Sequence, residues 1–341
     1  MRNALPCVVA GAIMTLGALA ADANDVVIGP DYAPAPELRV VPGVPVGAVT
    51  AFTLSSGDSR FYPGIARLEN AITKRRDPYG NRIAAAEHEQ SVPQPYTRTV
   101  WVYVPKQYVK GAAAPFMVVQ DGYGYMKVMP RVLDNLIAQK RIPAMVVVFV
   151  DNGGGDAQGS ERGLEYDTVS GRYSDFIEVE VLPRVAAETG VTLTNDPNGR
   201  ATMGASSGAA CAFTMAWFHP ERYGKVLSYS GTFVNQQSPP NPDTPRGAWE
   251  YHAHLIAEAP AKPIRVWMEV GEKDLHFDDP EETWHNWPMA NNRMAAVLKA
   301  KVYDYRYVFA KGAVHVDPRV TEQTLPDALE WLWRGYRAKA D

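Results

Sequence analysis

Cysteine is nearly absent from this chain of 341 residues, which contains only Cys7 and Cys211. Cys7 lies in an N-terminal segment, residues 1–20, in which one arginine precedes an apolar run that ends in Ala18-Leu19-Ala20. This order is typical of a cleaved signal peptide, and the run is short for a membrane-spanning helix. Cleavage would leave Cys211 alone, so we expect no disulfide within the mature chain and a buried thiol at Cys211.

Clusters of basic residues are also lacking. The 34 Lys and Arg residues face 38 Asp and Glu residues, which gives a formal net charge of -4 and a pI near 6.0. Proteins that bind nucleic acids usually carry a basic surface, so this composition argues against a nucleic-acid partner. The predicted signal peptide implies export, and we expect a periplasmic or secreted protein with no membrane contact after cleavage.

Internal repeats and low-complexity linkers are missing too, which favours a single domain. A stretch rich in Pro, Ala and Val, residues 21–45, precedes that domain and predicts an extended N-terminal arm laid on its surface. The domain itself is expected to span residues 46–341. Within it, the polar segment from Ser55 to Pro95 is predicted to be an excursion rich in turns.

Apolar runs alternate with helix-compatible segments along the domain. Two alternating runs predict half-exposed antiparallel strands, Ala48–Leu54 and Arg98–Pro105. Later runs are apolar on both faces, as in a buried parallel sheet: Pro115–Gln120, Ala144–Val150, Arg200–Gly204, Lys225–Ser230, Ile264–Val270 and Asp304–Ala310. The helix-compatible segments are Val128–Lys140, Ser174–Glu188, Gly208–Phe218, Glu281–Ala300 and Glu322–Lys339. This alternation predicts an α/β fold with a mostly parallel central sheet flanked by helices.

The sequence Gly204-Ala205-Ser206-Ser207-Gly208 matches the pattern G-x-S-x-G between a predicted strand and a predicted helix. In that context the pattern describes a sharp turn that lifts the central serine above the N-terminus of the helix. The helix dipole and its free amides would favour a developing oxyanion there. Ser206 is therefore the predicted nucleophile, because Ser207 is not centred between the two glycines.

A nucleophilic serine needs a base and an orienting acid, which in this arrangement follow it in the order acid, then histidine. Asp274 follows a predicted strand and is the predicted acid, with Glu272 as a close alternative and Asp278 and Asp279 as weaker ones. His315 follows the last predicted strand and precedes the last helix. It is the predicted base, because no other histidine lies in a strand-to-helix loop downstream of both serine and acid.

The oxyanion formed during acyl transfer needs two hydrogen-bond donors. The backbone amide of Ser207, directly after the nucleophile, is the first predicted donor. The second is expected from the loop that follows the strand Pro115–Gln120. There the turn Asp121-Gly122 would direct the amide of Tyr123, or that of Gly122, towards the site.

Several stretches together resemble a known esterase family. They are residues 165–183, residues 200–233 and the short sequences GEKD, NNRMAAVLKAK and GAVH. The similarity is to the family of enterochelin (siderophore) esterases and feruloyl or acetylxylan esterases, with the bacterial mycolyltransferases as more distant relatives. The resemblance implies an α/β-hydrolase fold and a serine esterase without metal or cofactor. It places the nucleophile at Ser206, the acid at Asp274, the base at His315 and the oxyanion donors at Tyr123 and Ser207.

The substrate is less well defined by the sequence. Trp284 and Trp287 lie between the predicted acid and base, where they could stack on a sugar or an aromatic acyl group or could pack a cap over the domain. The long connection Asn235–His254 is a candidate lid. His252 and His254, with His276 as a third ligand, are a weaker alternative as a metal site.

Three functions remain open at this stage. The first is an exported hydrolase of polysaccharide side-chain esters or siderophore-type esters, which are small-molecule or polysaccharide substrates. The second is an acyltransferase that uses the same triad with a sugar or lipid alcohol in place of water. The third is a non-catalytic binding protein on the same fold, which the presence of all three triad residues disfavours.

Overall fold

The computed structural model describes residues 24–67, 91–155, 160–237 and 240–337. The predicted signal peptide and residues 68–90 of the predicted excursion lie outside the described residues. Strands in the described part are β1 (Asp25–Ile28), β2 (Ala48–Ser55), β3 (Ile65–Arg67), β4 (Ser91–Pro93), β5 (Thr97–Val104), β6 (Ala113–Ala114), β7 (Phe116–Gln120), β8 (Val146–Val150), β9 (Thr192–Leu193), β10 (Arg200–Ala205), β11 (Lys225–Tyr229), β12 (Arg265–Lys273) and β13 (Asp304–Val314).

Nine of these strands form one sheet in the order β1-β13-β12-β11-β10-β7-β8-β5-β2. All neighbours from β1 to β8 pair in parallel. Strand β5 pairs antiparallel with both β8 and β2. Every residue of β7, β8, β10 and β11 is buried, because helices cover both faces of the sheet. The predicted α/β fold with a mostly parallel sheet is confirmed.

Helices cover the two faces of the sheet. They are α1 (Gly122–Met126), α2 (Met129–Ala138), α3 (Glu161–Tyr166), α4 (Arg172–Phe176), α5 (Leu182–Thr189), α6 (Ser207–Phe218), α7 (Ile256–Glu258), α8 (Trp287–Ala300) and α9 (Pro318–Trp333). Phe213 of α6 and Met294 of α8 belong to the core on one face. Leu133 of α2 and Leu329 of α9 belong to the core on the other.

Two helices begin at residues that differ from the prediction. Helix α8 begins at Trp287, because the side chain of Asn286 accepts a hydrogen bond from the Met289 amide and caps its first turn. Helix α9 begins at Pro318, four residues earlier than predicted, because Asp317 caps it in the same way. Both helices begin close to predicted site residues. The caps therefore help to fix the loops in which those site residues lie.

The N-terminal arm contributes a strand that the sequence did not predict. Strand β1 lies at one edge of the sheet and pairs in parallel with β13. Further along, Pro36–Leu38 forms a short helical turn, and the side-chain amide of Asn135 in α2 donates hydrogen bonds to the carbonyls of Glu37 and Arg39. The described part of the arm therefore joins the sheet and packs against α2. Among the described residues, no helix has the length and apolar character needed to cross a membrane.

Candidate active site

Ser206 lies at the sharp turn between β10 and α6. Its backbone has φ 55° and ψ −128°, a region that residues other than glycine rarely adopt. Its amide donates to the Tyr229 carbonyl at 3.0 Å, and its carbonyl accepts from the Thr232 amide at 3.1 Å. A Cβ atom on Gly204 would lie 2.3 Å from the carbonyl carbon of Gly208, so glycine is required where β10 and α6 cross. The turn holds the serine at the carboxyl end of the sheet.

His315 lies in the loop between β13 and α9, with its Nε2 atom 2.9 Å from Ser206 Oγ. The amide of Val316 donates to the hydroxyl of Ser230 at 3.0 Å, which ties this loop to the end of β11. The indole of Trp287 packs edge-on against the imidazole, with ring centres 6.0 Å apart. The loop and the imidazole are therefore held from two sides.

Asp274 follows β12, and its Oδ1 atom is 2.5 Å from His315 Nδ1. The same oxygen accepts a hydrogen bond from the Leu275 amide at 2.6 Å, and the residue is 1% exposed. Glu272, the close alternative, instead accepts from the Gly312 amide at 2.8 Å. The structure thus brings Asp274, and not Glu272, to the imidazole.

Hydrogen bonds join three side chains from separate loops in one row, in the order Ser206, His315 and Asp274. When His315 Nδ1 donates its proton to Asp274, the lone pair of Nε2 faces the hydroxyl of Ser206 and can accept its proton. This is the geometry in which a serine becomes a nucleophile near neutral pH. The residues predicted as nucleophile, base and acid therefore meet at the carboxyl end of the parallel strands, where sites on open α/β sheets lie.

Ser207 is the first residue of α6, and the first amides of a helix have no acceptor within it. Its amide therefore lies at the start of the helix beside Ser206, where the sequence predicts an oxyanion donor. The side chain of Ser207 is buried and accepts a hydrogen bond from Gln236 Nε2 at 3.1 Å. Gln236 also donates to Asp167 Oδ2 at 3.0 Å, so the first turn of α6 is linked to the end of α3.

The amide of Tyr123, predicted as the second oxyanion donor, has a different partner. It donates to Asp151 Oδ1 at 3.0 Å. Asp151 follows β8, which lies on the side of β7 away from β10 and Ser206. The structure therefore does not offer this amide to Ser206, because it is already bound to the carboxylate of the neighbouring strand. The Tyr123 side chain is exposed and lies beside Trp101.

The two tryptophans predicted to bind substrate lie in different surroundings. Trp287 is 2% exposed and is stacked on His276 as well as packed against His315, so it supports the histidine and has almost no free surface for a ligand. Trp284 is 36% exposed and lies near the guanidinium of Arg246. This placement differs from the prediction for Trp287, because the first turn of α8 carries its ring into the core.

Asp167 lies near the site, at the end of α3. It is buried, and its Oδ2 atom accepts a hydrogen bond from Gln236 Nε2 at 3.0 Å. Burial raises the pKa of Asp167 to about 7, although the hydrogen bond from Gln236 and the charge of Arg162 oppose the rise. A carboxyl group that titrates near neutrality therefore lies directly behind the first turn of α6.

An ion pair that was not predicted lies beside Ser206. Arg162 Nε and Nη2 donate to the two carboxylate oxygens of Asp121 at 3.0 and 2.7 Å. Asn152 Nδ2 donates to the same carboxylate at 2.7 Å. The Asp121 backbone has φ 53°, and a Cβ atom on Gly208 would lie 3.2 Å from Asp121 Oδ2. The negative charge of Asp121 near the turn is thus balanced by a paired guanidinium.

A pocket of about 420 Å³ opens next to this ion pair, with Ser206 in its wall. Apolar side chains dominate the rest of its lining. They are Leu38 of the arm, Tyr125 and Val128 after β7, Ala205 before the serine, and Val316, Pro318 and Leu325 after β13. The pocket joins Ser206 to a surface suited to an uncharged, apolar group.

The three histidines considered as a metal site each interact with a different partner. His252 is buried with its Nε2 atom 3.1 Å from the Phe233 carbonyl, and burial lowers its pKa to about 4. His254 pairs with Glu250 and His276 with Asp279. In the described part of the chain, no group of three or more His, Cys, Asp or Glu residues could hold a metal ion.

The candidate lid is held by packing within the described residues. Its Tyr251 ring contacts Phe213 and Trp217 of α6, and Trp249 is buried. The Gln237 side chain accepts a hydrogen bond from the Val169 amide at 2.8 Å. Residues 248–252 of the candidate lid are all buried and therefore form part of the domain instead of a separate cover.

The order of strands, the layers of helices and the serine turn after β10 are those of the α/β-hydrolase fold. The chain belongs to the esterase family described as "Putative esterase", whose model matches residues 94–329. It is thus a member of a hydrolase family. The match begins after the N-terminal arm and includes Ser206, Asp274 and His315.

Comparisons with individual proteins agree with this assignment. The chain is 23% identical over 250 residues to the uncharacterized protein YbbA of Bacillus subtilis, covering 69% of this chain and 92% of that protein. The enterobactin esterase of Shigella flexneri superposes with a TM-score of 0.55 at 22% identity, covering 70% of this chain and 55% of that chain. The ferulic acid esterase of Anaeromyces mucronatus superposes with a TM-score of 0.56 at 13% identity, covering 89% and 96%.

The chain spans only about 55% of the length of the Shigella esterase. At these identities the structural similarities establish the shared fold.

Proposed function

We propose that this chain is an exported serine esterase that hydrolyses carboxylic esters through Ser206, His315 and Asp274. The observation that carries the proposal is the hydrogen-bonded row at the strand-to-helix turn, with 2.9 Å from serine to imidazole and 2.5 Å from imidazole to carboxylate. Membership of an esterase family supports the same reaction class. The apolar N-terminal segment, residues 1–20, supports export.

The first half of the reaction forms an acyl-enzyme. His315 Nε2 accepts the proton of Ser206 as Oγ bonds to the ester carbonyl carbon. Asp274 keeps the Nδ1 proton in place and stabilises the charged imidazolium. The tetrahedral intermediate then collapses, the carbon–oxygen bond to the alcohol breaks, and His315 returns the proton to the leaving oxygen.

The second half releases the acid. Water enters where the alcohol left, gives a proton to His315 and attacks the acyl carbon, and Ser206 regains its proton as the acyl bond breaks. The Ser207 amide stabilises the oxyanion in both halves. A second donor would come from the loop after β7. The amide of Tyr123 can bind the oxyanion only after its hydrogen bond to Asp151 breaks.

Two ester classes are suggested by the structures to which this chain is similar. One is an enterobactin esterase and another is a ferulic acid esterase. Polysaccharide side-chain esters, feruloyl or acetyl, and siderophore-type esters are therefore the substrate classes we propose. Exposed aromatic residues near the acid loop, Phe277 and Trp284, supply surface on which a sugar or aromatic ring can stack.

Hydrolysis of short p-nitrophenyl esters and methyl ferulate by the mature chain, beside Ser206→Ala, tests the proposal. We expect turnover by the unsubstituted chain and none above background by the variant. A fluorophosphonate probe should label the unsubstituted chain at Ser206 and leave Ser206→Ala unlabelled. Equal activity of the two proteins would contradict the assignment of Ser206. Competing sugar or lipid alcohols in the assay distinguish hydrolysis from acyl transfer, because transfer gives a new ester product.

A further inference from the structure

One residue that lines the pocket beside Ser206 lies outside the part of the chain that the family model matches. Leu38 belongs to the N-terminal arm, whereas the match covers residues 94–329. Tyr125, Val128 and Leu325 lie in the same lining. The arm therefore adds an apolar side chain to a pocket whose other walls come from the catalytic domain.

The arm is held firmly against α9 on one side of Leu38. The amide of Ala35 donates to the Glu322 carbonyl at 3.0 Å, and the amide of Ala33 donates to Gln323 Oε1 at 2.9 Å. Both acceptors belong to α9, which also lines the pocket. The arm and α9 therefore form one continuous wall.

The arm is held against α2 on the other side. Asn135 Nδ2 donates to the carbonyls of Glu37 and Arg39 at 2.7 and 3.0 Å, and Arg131 Nη1 donates to the Leu38 carbonyl at 3.2 Å. Glu37 also forms an ion pair with Arg141 and is 9% exposed. Backbone bonds on both sides of Leu38 thus fix the position from which its side chain enters the pocket.

The position of the pocket indicates which part of an ester it receives. The leaving alcohol has to lie within reach of His315 Nε2, which returns the proton to it. His315 does not line the pocket, although Val316 and Pro318 directly after it do, together with Ser206, Asp121 and Gly124. The pocket therefore borders the serine without including the imidazole, which favours the acyl group over the leaving alcohol as its occupant.

We propose that the substrate's acyl group occupies this pocket and that Leu38 of the arm sets the size of the group that fits. The proposal rests on the proposed esterase function. The preferred acyl group is uncharged and largely apolar, either an alkyl chain of several carbons or a phenylpropenoyl group. The lining is mostly apolar, and its guanidinium, that of Arg162, already pairs with Asp121, so it offers little to a charged group.

An acyl-length series tests the proposal with the alcohol held constant. For p-nitrophenyl esters from acetate to decanoate, kcat/KM should rise about fourfold per methylene until the pocket is full, since each buried methylene contributes a nearly constant increment. Leu38→Trp should lower the octanoate-to-acetate ratio of kcat/KM by about tenfold, because the larger side chain fills the space of roughly one and a half to two methylenes. Leu38→Ala should shift the best chain length upwards.

Val40→Trp is the matched control, because Val40 is 74% exposed on the same arm and does not line the pocket. It should keep the length profile of the unsubstituted chain. An unchanged profile in both Leu38 variants would overturn the role of the arm. A dependence on the length of the alcohol, with none on the acyl group, would overturn the acyl assignment.

Binding to an inactive chain separates this proposal from the proposed function. Calorimetric titration of Ser206→Ala with ethyl octanoate should show binding that Leu38→Trp weakens about tenfold in the same background. If the unsubstituted chain fails to hydrolyse any ester but this binding is present, the esterase proposal fails and the pocket proposal stands. If esters are hydrolysed and this binding is absent, the pocket proposal fails alone.

Discussion

Asp167 and Ser207 are joined through Gln236 at the N-terminus of α6, because Gln236 Nε2 donates to Asp167 Oδ2 at 3.0 Å and to Ser207 Oγ at 3.1 Å. Burial raises the pKa of Asp167 to about 7. The folded protein therefore keeps a proton that the unfolded chain loses near pH 4, so this residue lowers stability as pH rises from about 4 to 7.

Asp167→Asn should remove that contribution. The difference in unfolding free energy between the variant and the unsubstituted chain should rise by at most about 1.4 kcal/mol per pH unit between pH 4 and 7, and should be constant above pH 7. Urea unfolding at several pH values measures it. Taking the difference cancels the contributions of Glu161 and His252, whose pKa values burial shifts to about 7 and about 4. A difference independent of pH would mean that Asp167 is ionised throughout.

Asp274→Asn should reduce kcat by about 10⁴-fold while the fold is retained, because an amide neither stabilises the imidazolium nor keeps the proton on Nδ1. Steady-state kinetics with a p-nitrophenyl ester measures the loss. Glu272→Gln is the matched control, since Glu272 binds the Gly312 amide and not His315. A larger loss in Glu272→Gln than in Asp274→Asn would reverse the assignment of the acid.

Gly204→Ala should destabilise the chain by several kcal/mol or prevent folding, because its Cβ would lie 2.3 Å from the backbone of Gly208. Thermal unfolding measures the effect. Gly57→Ala gives a comparison, because a Cβ there would meet only the Ser55 hydroxyl at 3.4 Å. Its expected change is within about 0.5 kcal/mol. Similar melting temperatures for the two variants would contradict the close crossing of β10 and α6.

Cys211 should resist alkylation in the folded protein. It is 1% exposed in α6, and burial raises the pKa of its thiol well above the ordinary value. Mass spectrometry after treatment with iodoacetamide should find Cys211 unmodified in buffer and modified in guanidinium chloride. Rapid labelling of the folded protein would show that α6 opens, contrary to its burial.

The sequence predicted the sheet, and it singled out the three residues that the structure brings together, because both inferences depend on local patterns. Runs that are apolar on both faces predicted the buried strands, and the order of Ser206, Asp274 and His315 along those strands predicted the row that the structure shows. Contacts between distant segments had no such pattern. The Tyr123 amide binds Asp151, and Trp287 turns into the core, because neighbouring strands and helices decide where these groups point.

The contacts of the N-terminal arm with distant segments could not be predicted from the sequence either. Its composition predicted an extended segment, but nothing in residues 21–45 indicates that β1 pairs with β13 or that Leu38 enters a pocket. Such pairing depends on an edge formed by residues nearly 300 positions away, a separation that follows from the register of Asp25 with Tyr307. Sequence patterns of short range carry no information about it.

The pairing of β1 with β13 also affects whether one molecule can associate with another through the edge of its sheet. Without β1, the backbone donors and acceptors along β13 would form an open edge, and an open edge can recruit a strand from another molecule. The arm satisfies these groups within its own chain. Proteolytic removal of the first strand should therefore favour intermolecular association through the very strand that leads to His315.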